Sequence, residues 1–226
     1  MKWSPERSAS LLTLPIHSCT YSAAFSPHEP SLLSCVSSDS HFRLFDLRTP
    51  ASASNHLALS IPIHSPQERV PPVASYTVLQ AQPTASASAE ALTHDWNKYR
   101  ETVVATAGVD RLIRTFDIRS PNQGPLAILE GHDYAIRRIA WSPHLRDMLL
   151  SASYDMTCRI WSDGTTAAKG DSPQRAIELG RMERHTEFVV GIDWCLFGNE
   201  GWVASVGWDE RLCVWDIRDV INPDVT

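Results

Sequence analysis

At four places in this 226-residue chain an aspartate is followed six residues later by a large aromatic: Asp39 to Phe45, Asp110 to Phe116, Asp155 to Trp161 and Asp209 to Trp215. A spacing that recurs at intervals of tens of residues marks a repeat, in which one supersecondary unit is copied and each copy buries its apolar face on its neighbours. Further columns agree. Four residues before the aspartates stand Thr106, Ser151 and Ser205, with Cys35 in the first unit, and further upstream lie His17, His132 and His185. Between aspartate and aromatic the stretches HFRLF, RLIRTF, MTCRIW and RLCVW alternate apolar with polar residues, which is the period of a β-strand. Three units continue as Asp46-Leu47-Arg48, Asp117-Ile118-Arg119 and Asp216-Ile217-Arg218.

Together these columns resemble a WD repeat, in which each unit of about 40 to 45 residues forms one four-stranded propeller blade. The expected fold is an all-β WD-repeat β-propeller with about four blades visible, a partial or small propeller formed by residues 1–226 as a single domain. Strands are predicted near 21–25, 32–36 and 41–45 in the first unit and near 91–96, 102–106, 112–116 and 125–129 in the second. The third unit has them near 135–141, 148–152, 157–161 and 176–180, and the fourth near 188–194, 202–206 and 211–215. The columns have a physical rationale. A carboxylate in a strand turn can accept from an imidazole, and the imidazole can reach a strand hydroxyl beside an indole N–H, so buried polar groups satisfy one another and fix the register. The third unit offers His132, Ser151, Asp155 and Trp161 for this network, and the fourth His185, Ser205, Asp209 and Trp215. In the first two units Phe45 and Phe116 lack the N–H, Cys35 replaces the hydroxyl, and Ala87 stands at the spacing of the second histidine. Those two blades are expected to be the softer ones.

Composition narrows the class. Twenty basic against 26 acidic side chains give a net charge of −6, so the chain lacks the bulk basic footprint of a nucleic-acid binder. Of the five cysteines, an odd count with no C-x-x-C pair, most sit in apolar strand patterns as small hydrophobes, which suits a reducing compartment. No apolar run has the length of a signal peptide or approaches the roughly 18 residues of a membrane span, so a soluble intracellular protein is expected.

Two segments interrupt the repeat. Six prolines among serines and alanines in residues 50–90 predict a disordered Pro/Ser/Ala-rich insertion at about 50–75, with the first blade's outer strand at SYTVLQ, residues 75–80. On that basis deleting residues 52–72 should leave the fold intact. A second loop is predicted over 162–174. Met1-Lys2-Trp3 reads as the end of a strand from a missing blade, and after Trp215 no outer strand follows. SLLTL at 10–14 is the spare strand that would close a ring of four blades by pairing with 211–215, the competing expectation being an open arc with raw edges.

His132, Ser151 and Asp155 have the composition of a catalytic triad, as do His185, Ser205 and Asp209. Their repetition argues for a structural role, since a nucleophile is needed once and a blade network in every blade. The nine histidines lack ligand spacing for a metal, phosphate-binding glycine loops are absent, and neither catalysis nor a cofactor is expected. A surface remains. Residues just before the turn aspartates (Ser38, Val109, Tyr154, Trp208) and just after the histidines (Asp133, Tyr134, Thr186, Glu187, Phe188) belong to the rim at one end of a propeller. Of these, Asp133, Tyr134, Tyr154, Glu187, Phe188 and Trp208 are the candidate peptide-binding residues, aromatics beside carboxylates suiting an apolar and cationic peptide. Arg48, Arg119 and Arg218 belong to the opposite face, where such endings resemble those of WD-repeat substrate receptors for cullin ubiquitin ligases. A WD-repeat scaffold or ligase substrate receptor is therefore the alternative function.

More specific stretches lie outside the shared columns: LEGHDYAIRRIAWSPHLRDMLLSASYDMTCRIW at 129–161, RHTEFVVGIDW at 184–194, HDWNKY at 94–99 and IHSCTYSAAFSPHEPSLLSCVSSDSHFRLFDLR at 16–48. In these the chain resembles the peroxisomal targeting-signal type 2 receptors, WD-repeat peroxins, and the resemblance implies that their N-terminal blades are lacking. The resemblance implies a non-enzymatic import receptor that binds the N-terminal type 2 signal of matrix proteins and shuttles between cytosol and peroxisome. It implies as partners signal-bearing cargo such as 3-oxoacyl-CoA thiolase, a co-receptor peroxin and docking peroxins at the membrane.

Overall fold

A computed structural model describes residues 12–50, 55–64, 89–165 and 176–221. They form four antiparallel sheets, each built from consecutive strands. The first blade is β1 (Thr20–Phe25), β2 (Leu32–Ser37), β3 (His41–Asp46) and β4 (Leu57–Pro62), and the second is β5 (Ala91–Trp96), β6 (Val103–Gly108), β7 (Leu112–Asp117) and β8 (Ala127–Glu130). The third comprises β9 (Ile136–Trp141), β10 (Met148–Ser153), β11 (Cys158–Ser162) and β12 (Ile177–Met182). The fourth has three strands among the described residues, β13 (Val189–Trp194), β14 (Trp202–Gly207) and β15 (Leu212–Asp216), followed by one helical turn, α1 (Arg218–Ile221).

The β2–β3, β6–β7, β10–β11 and β14–β15 turns share one strained feature. The residue after each turn aspartate, Ser40, Arg111, Met156 or Glu210, takes a left-handed backbone at φ between 62° and 69°. L-residues adopt that region at a cost. The aspartate offsets it by accepting from the amide two residues on: His41, Leu112, Thr157 and Arg211 each donate to their Asp Oδ1 at 3.1–3.4 Å. The recurring carboxylate thus specifies the hairpin as well as the network beneath it.

Blades meet face to face, always through unlike faces. Val36, Phe42 and Leu44 of the first blade pack on Ala91, Trp96 and Val104 of the second. Ala105, Ala107 and Ile113 of the second pack on Ile139, Trp141, Leu149 and Trp161 of the third. Leu150, Cys158 and Ile160 of the third pack on Ile192, Trp194, Val203 and Trp215 of the fourth. Three clusters join four blades, with β1, β5, β9 and β13 side by side in chain order. Beyond β15 the chain folds back on the third blade, where a Cβ on Gly180 of β12 would stand 2.7 Å from the Val220 carbonyl oxygen of α1.

Several expectations are corrected. The first blade's outer strand is β4 at 57–62, not 75–80, which lies outside the described residues; the span expected to be disordered therefore holds a strand with Ile61 and Ile63 buried beneath it. Its composition concealed it, because Pro62 sits at the edge-strand end, where a missing donor costs no ladder bond. Residues 12–14 of SLLTL lie outside any strand and 10–11 outside the described residues, so β15 has no fourth partner among the described residues. Because β4 carries core side chains, Ile61→Ala should lower stability by about 2 kcal/mol or more, and excising residues 57–64 should abolish cooperative unfolding. Urea denaturation followed by far-UV circular dichroism measures both, and wild-type midpoints would restore the view of this segment as a loop.

Candidate peptide-recognition rim and the networks beneath it

In the third blade His132 Nδ1 lies 2.7 Å from Asp155 Oδ2 and His132 Nε2 2.6 Å from Ser151 Oγ, which also accepts from Trp161 Nε1 at 2.7 Å. A carboxylate only accepts, so Nδ1 carries the proton, Nε2 accepts from the Ser151 hydroxyl, and the imidazole is neutral. The fourth blade repeats the chain: His185 Nδ1 to Asp209 Oδ2 at 2.9 Å, His185 Nε2 to Ser205 Oγ at 2.9 Å, and Trp215 Nε1 to Ser205 Oγ at 3.2 Å. Ser151 and Ser205 are fully buried, each already accepting from an indole, so neither hydroxyl meets a substrate. Gly131 lies close under this network: a Cβ there would stand 2.8 Å from Arg159 Nη1 and 3.0 Å from the Trp161 ring, so a larger residue has to displace the guanidinium.

The second blade departs from the sequence reading. Its histidine is His64, with Nδ1 2.8 Å from Asp110 Oδ2 and Nε2 3.2 Å from Thr106 Oγ1; Ala87 lies outside the described residues. Only the indole is missing there, so the expected weakness of this network is reduced to the Phe116 substitution. In the first blade His17 is exposed and Asp39 instead holds Arg43, Ser37 Oγ and the His41 amide. The first blade finds its hydroxyl network across the junction. Ser34 Oγ accepts from Trp96 Nε1 at 2.8 Å, donates to the Ala24 carbonyl at 3.0 Å, and lies 2.8 Å from His94 Nε2. The serine proton is committed to Ala24, so His94 donates through Nε2 and its Nδ1 is left buried without a hydrogen bond.

Sequence reasoning also missed an arginine four residues after the aspartate in three blades. Arg43 and Arg114 pair with Asp39 and Asp110, and the buried Arg159 reaches Asp155 at 3.3 Å and Glu178 at 2.8 Å. The column was visible as Arg43, Arg114 and Arg159. Burial pushes the Asp155 carboxyl up, but hydrogen bonds from His132, Thr157 and the Asp133 amide outweigh it and hold the group well below the usual carboxylate range. Asp110 is held at about 2 by His64 and Arg114 against the same burial. Burial holds the His132 imidazole below its ordinary value despite Asp155, and pulls His94 down to about 3.

These networks set the rim. The residues before the turn aspartates are tied by backbone bonds to the loop entering their own blade: Ser38 to Cys19, Val109 to Glu90, Tyr154 to Ala135 and Trp208 to Phe188, at 2.8–3.0 Å. After each complete-network histidine, the Asp133 and Thr186 amides donate to Asp155 and Asp209 at 3.1 Å. Tyr154, Phe188 and Trp208 form one aromatic cluster across the third junction, with centroids 4.8 Å apart for Tyr154–Phe188, 5.2 Å for Phe188–Trp208 and 6.3 Å for Tyr154–Trp208. Tyr154 and Phe188 are half-buried on one another, whereas Trp208 and Tyr134 are each 62% exposed. Asp133, Thr186 and Glu187 are exposed, Val109 is exposed on the neighbouring blade and Ser38 is half-buried. Arg111 reaches the Asp133 carbonyl at 3.4 Å. Elsewhere, Arg48, Arg119 and Arg218 each hold the aspartate two residues earlier through two guanidinium nitrogens. Cavities of about 150 and 220 Å³ lie near Trp194, away from this rim, and are smaller than the roughly 300 to 1,000 Å³ of small-molecule sites.

Residues 8–46, 123–162 and 177–216, more than half of the chain, match the WD domain, G-beta repeat family. With four hairpin-built sheets and the Asp–His–Ser–Trp network in place, the chain belongs to the WD-repeat family. Among curated proteins it is similar to the peroxisomal targeting signal 2 receptor of Saccharomyces cerevisiae, 37% identical over 88% of this chain and 52% of that protein. The receptor of the same name from Komagataella phaffii is 38% identical over 88% of this chain and 50% of its own length. The histone acetyltransferase type B subunit 2 of Debaryomyces hansenii is 26% identical over 87% of this chain and 43% of that protein. The chain spans about half the length of the two receptors it matches. Among the described residues no helix is long and apolar enough to cross a membrane.

Removing Asp155 leaves the buried His132 Nδ1 without its acceptor and takes from the buried Arg159 one of its two carboxylates, whereas Asp39 and its partner Arg43 are both partly exposed. Asp155→Ala should therefore cost roughly 3 kcal/mol and Asp39→Ala about 1; equal shifts in urea midpoint would contradict the ranking. The His94 pKa is lower folded than unfolded, so the unfolded chain binds the extra proton and stability falls as pH drops below about 6.5. Between pH 7.5 and 5.5 this group accounts for about 1 kcal/mol. A His94→Gln variant should lose correspondingly less over the same interval, and an identical pH response would show that His94 does not carry the effect.

Proposed function

We propose that this chain carries the signal-reading rim of a receptor for peroxisomal targeting signal 2, a non-enzymatic binding function. The observation that carries the reading is the continuous Tyr154, Phe188 and Trp208 cluster, flanked by the exposed carboxylates Asp133 and Glu187. The similarity to receptors of that name supports it. An amphipathic helix with a basic beginning meets both halves of such a surface: its apolar stripe lies on the aromatic rings and on Tyr134, exposed in the loop entering the third blade, and its cations face the carboxylates. Rigid aromatics supply most of the affinity, while the charges steer encounter. In this reading the N-terminal signal of matrix proteins such as 3-oxoacyl-CoA thiolase is the ligand. Delivery then requires a co-receptor peroxin and docking peroxins, with the receptor moving between cytosol and peroxisome.

Titration of a fluorescently labelled type 2 signal peptide tests the assignment. Trp208→Ala should weaken binding roughly 10- to 30-fold, mainly through faster dissociation. Glu187→Lys should slow association and flatten its salt dependence. Unchanged affinity in both variants removes this face from consideration.

A further inference from the structure

The second and third junctions differ at one place on the face opposite the rim. Arg100, in the loop leaving β5, crosses to the third blade. Its guanidinium lies over the Trp141 ring, 5.4 Å from the centroid, and pairs with the buried Asp163 just beyond β11. One repeat further on, Leu145 stands at the position of Arg100, Trp194 at that of Trp141 and Ile217 at that of Asp163. The two aliphatic side chains cannot form the ion pair, and between the third and fourth blades these three residues line a hollow of about 220 Å³. Glu200 and Arg218 complete its charged lining. Arg218 is compensated by Asp216 through two guanidinium nitrogens, whereas Glu200 is exposed and has no ion pair among the described residues. The third junction thus keeps an indole and a carboxylate without the guanidinium that joins them in the second.

We propose that this hollow is a docking site for one arginine side chain of a partner protein, held as the second junction holds its own Arg100. A guanidinium is attracted to an indole face and pairs with a carboxylate through its planar fork. Its aliphatic stem has Leu145 and Ile217 to pack on. The size agrees, being far more than one water needs and less than the roughly 300 to 1,000 Å³ of a small-molecule site. Charge agrees as well, because Glu200 is the uncompensated group and favours a cation over an anion. The hollow and the aromatic rim lie at opposite ends of the strands, so separate variants report on each.

Acetyl-arginine amide is the probe, titrated into the full 226-residue chain carrying carbon-13-labelled leucine and isoleucine methyl groups. The Leu145 and Ile217 methyl resonances should shift and saturate in the millimolar range, as expected of a single side chain. Acetyl-citrulline amide, of the same shape but uncharged, should bind at least about 5-fold more weakly. Glu200→Gln should weaken the arginine probe about 5-fold, and Glu187→Lys on the rim should leave these shifts unchanged. Leu145→Arg, at a 44% exposed position, should fill the hollow from within and abolish the Ile217 response with unchanged circular dichroism. The proposal is overturned if the arginine probe leaves these methyls unmoved, if both probes bind equally, or if binding is indifferent to Glu200→Gln and Leu145→Arg. Tighter probe binding after Lys169→Ala or Arg175→Ala, at positions outside the described residues, also overturns it, because the hollow would then belong to this chain's own loop.

Discussion

In the second, third and fourth blades one buried carboxylate organises both the hairpin and what lies beneath it. In the third blade Asp155 accepts from the Thr157 amide, which stabilises the left-handed Met156, and from His132, which passes the hydrogen-bond chain to Ser151 and Trp161. Strands β10 and β11 and the segment entering the blade are thereby fixed by a single polar chain in which each donor has one acceptor. Such a network is favourable only when complete, since a stranded imidazole or guanidinium in the interior carries its full desolvation cost. The rim follows from the same chain. Tyr154 and Trp208 each precede a turn aspartate, and the Asp133 and Thr186 amides donate to those carboxylates, so the core network fixes where the candidate binding residues stand.

The sequence made the third and fourth blades legible because every column was present at one spacing. His132 and Asp155 are separated by 23 residues and His185 and Asp209 by 24. In the second blade the histidine stands 46 residues before Asp110, because the added chain falls between the histidine and its blade. A ruler calibrated on compact repeats then lands on Ala87, while the physical requirement, an imidazole aimed at the carboxylate, is met by His64. Strand β4 was hidden for a related reason. LALSIP has only a short apolar alternation, and the surrounding prolines and serines dominate any compositional reading, yet Ile61 and Ile63 are buried.

The first blade shows a limit of reading one unit at a time. With Cys35 and Phe45 at the network positions it looks depleted, and Asp39 does turn to Arg43. Its buried hydroxyl, Ser34, faces the other way and is satisfied by Trp96 and His94 from the second blade. The fourth blade bonds back to the third comparably, through Trp194 Nε1 to the Ala140 carbonyl at 3.0 Å. A residue that seems lost within its own repeat has a role in the junction, which no within-repeat alignment reveals. Stability in such arrays is a sum of blade and neighbour contributions, and Ser34 belongs to the second kind.

That division bears on recognition. The Tyr154, Phe188 and Trp208 cluster straddles the junction between the two blades with complete networks. Preorganised aromatics lose less freedom on binding than mobile ones. The Trp208 turn, however, is carried by β14 and β15, whose far face holds the exposed Val206, Leu212 and Val214. The turn is held from within instead: Asp209 accepts from His185 and from the Thr186 and Arg211 amides, and the Trp208 amide donates to the Phe188 carbonyl, so the fixed position of the Trp208 ring comes from the blade's own polar network.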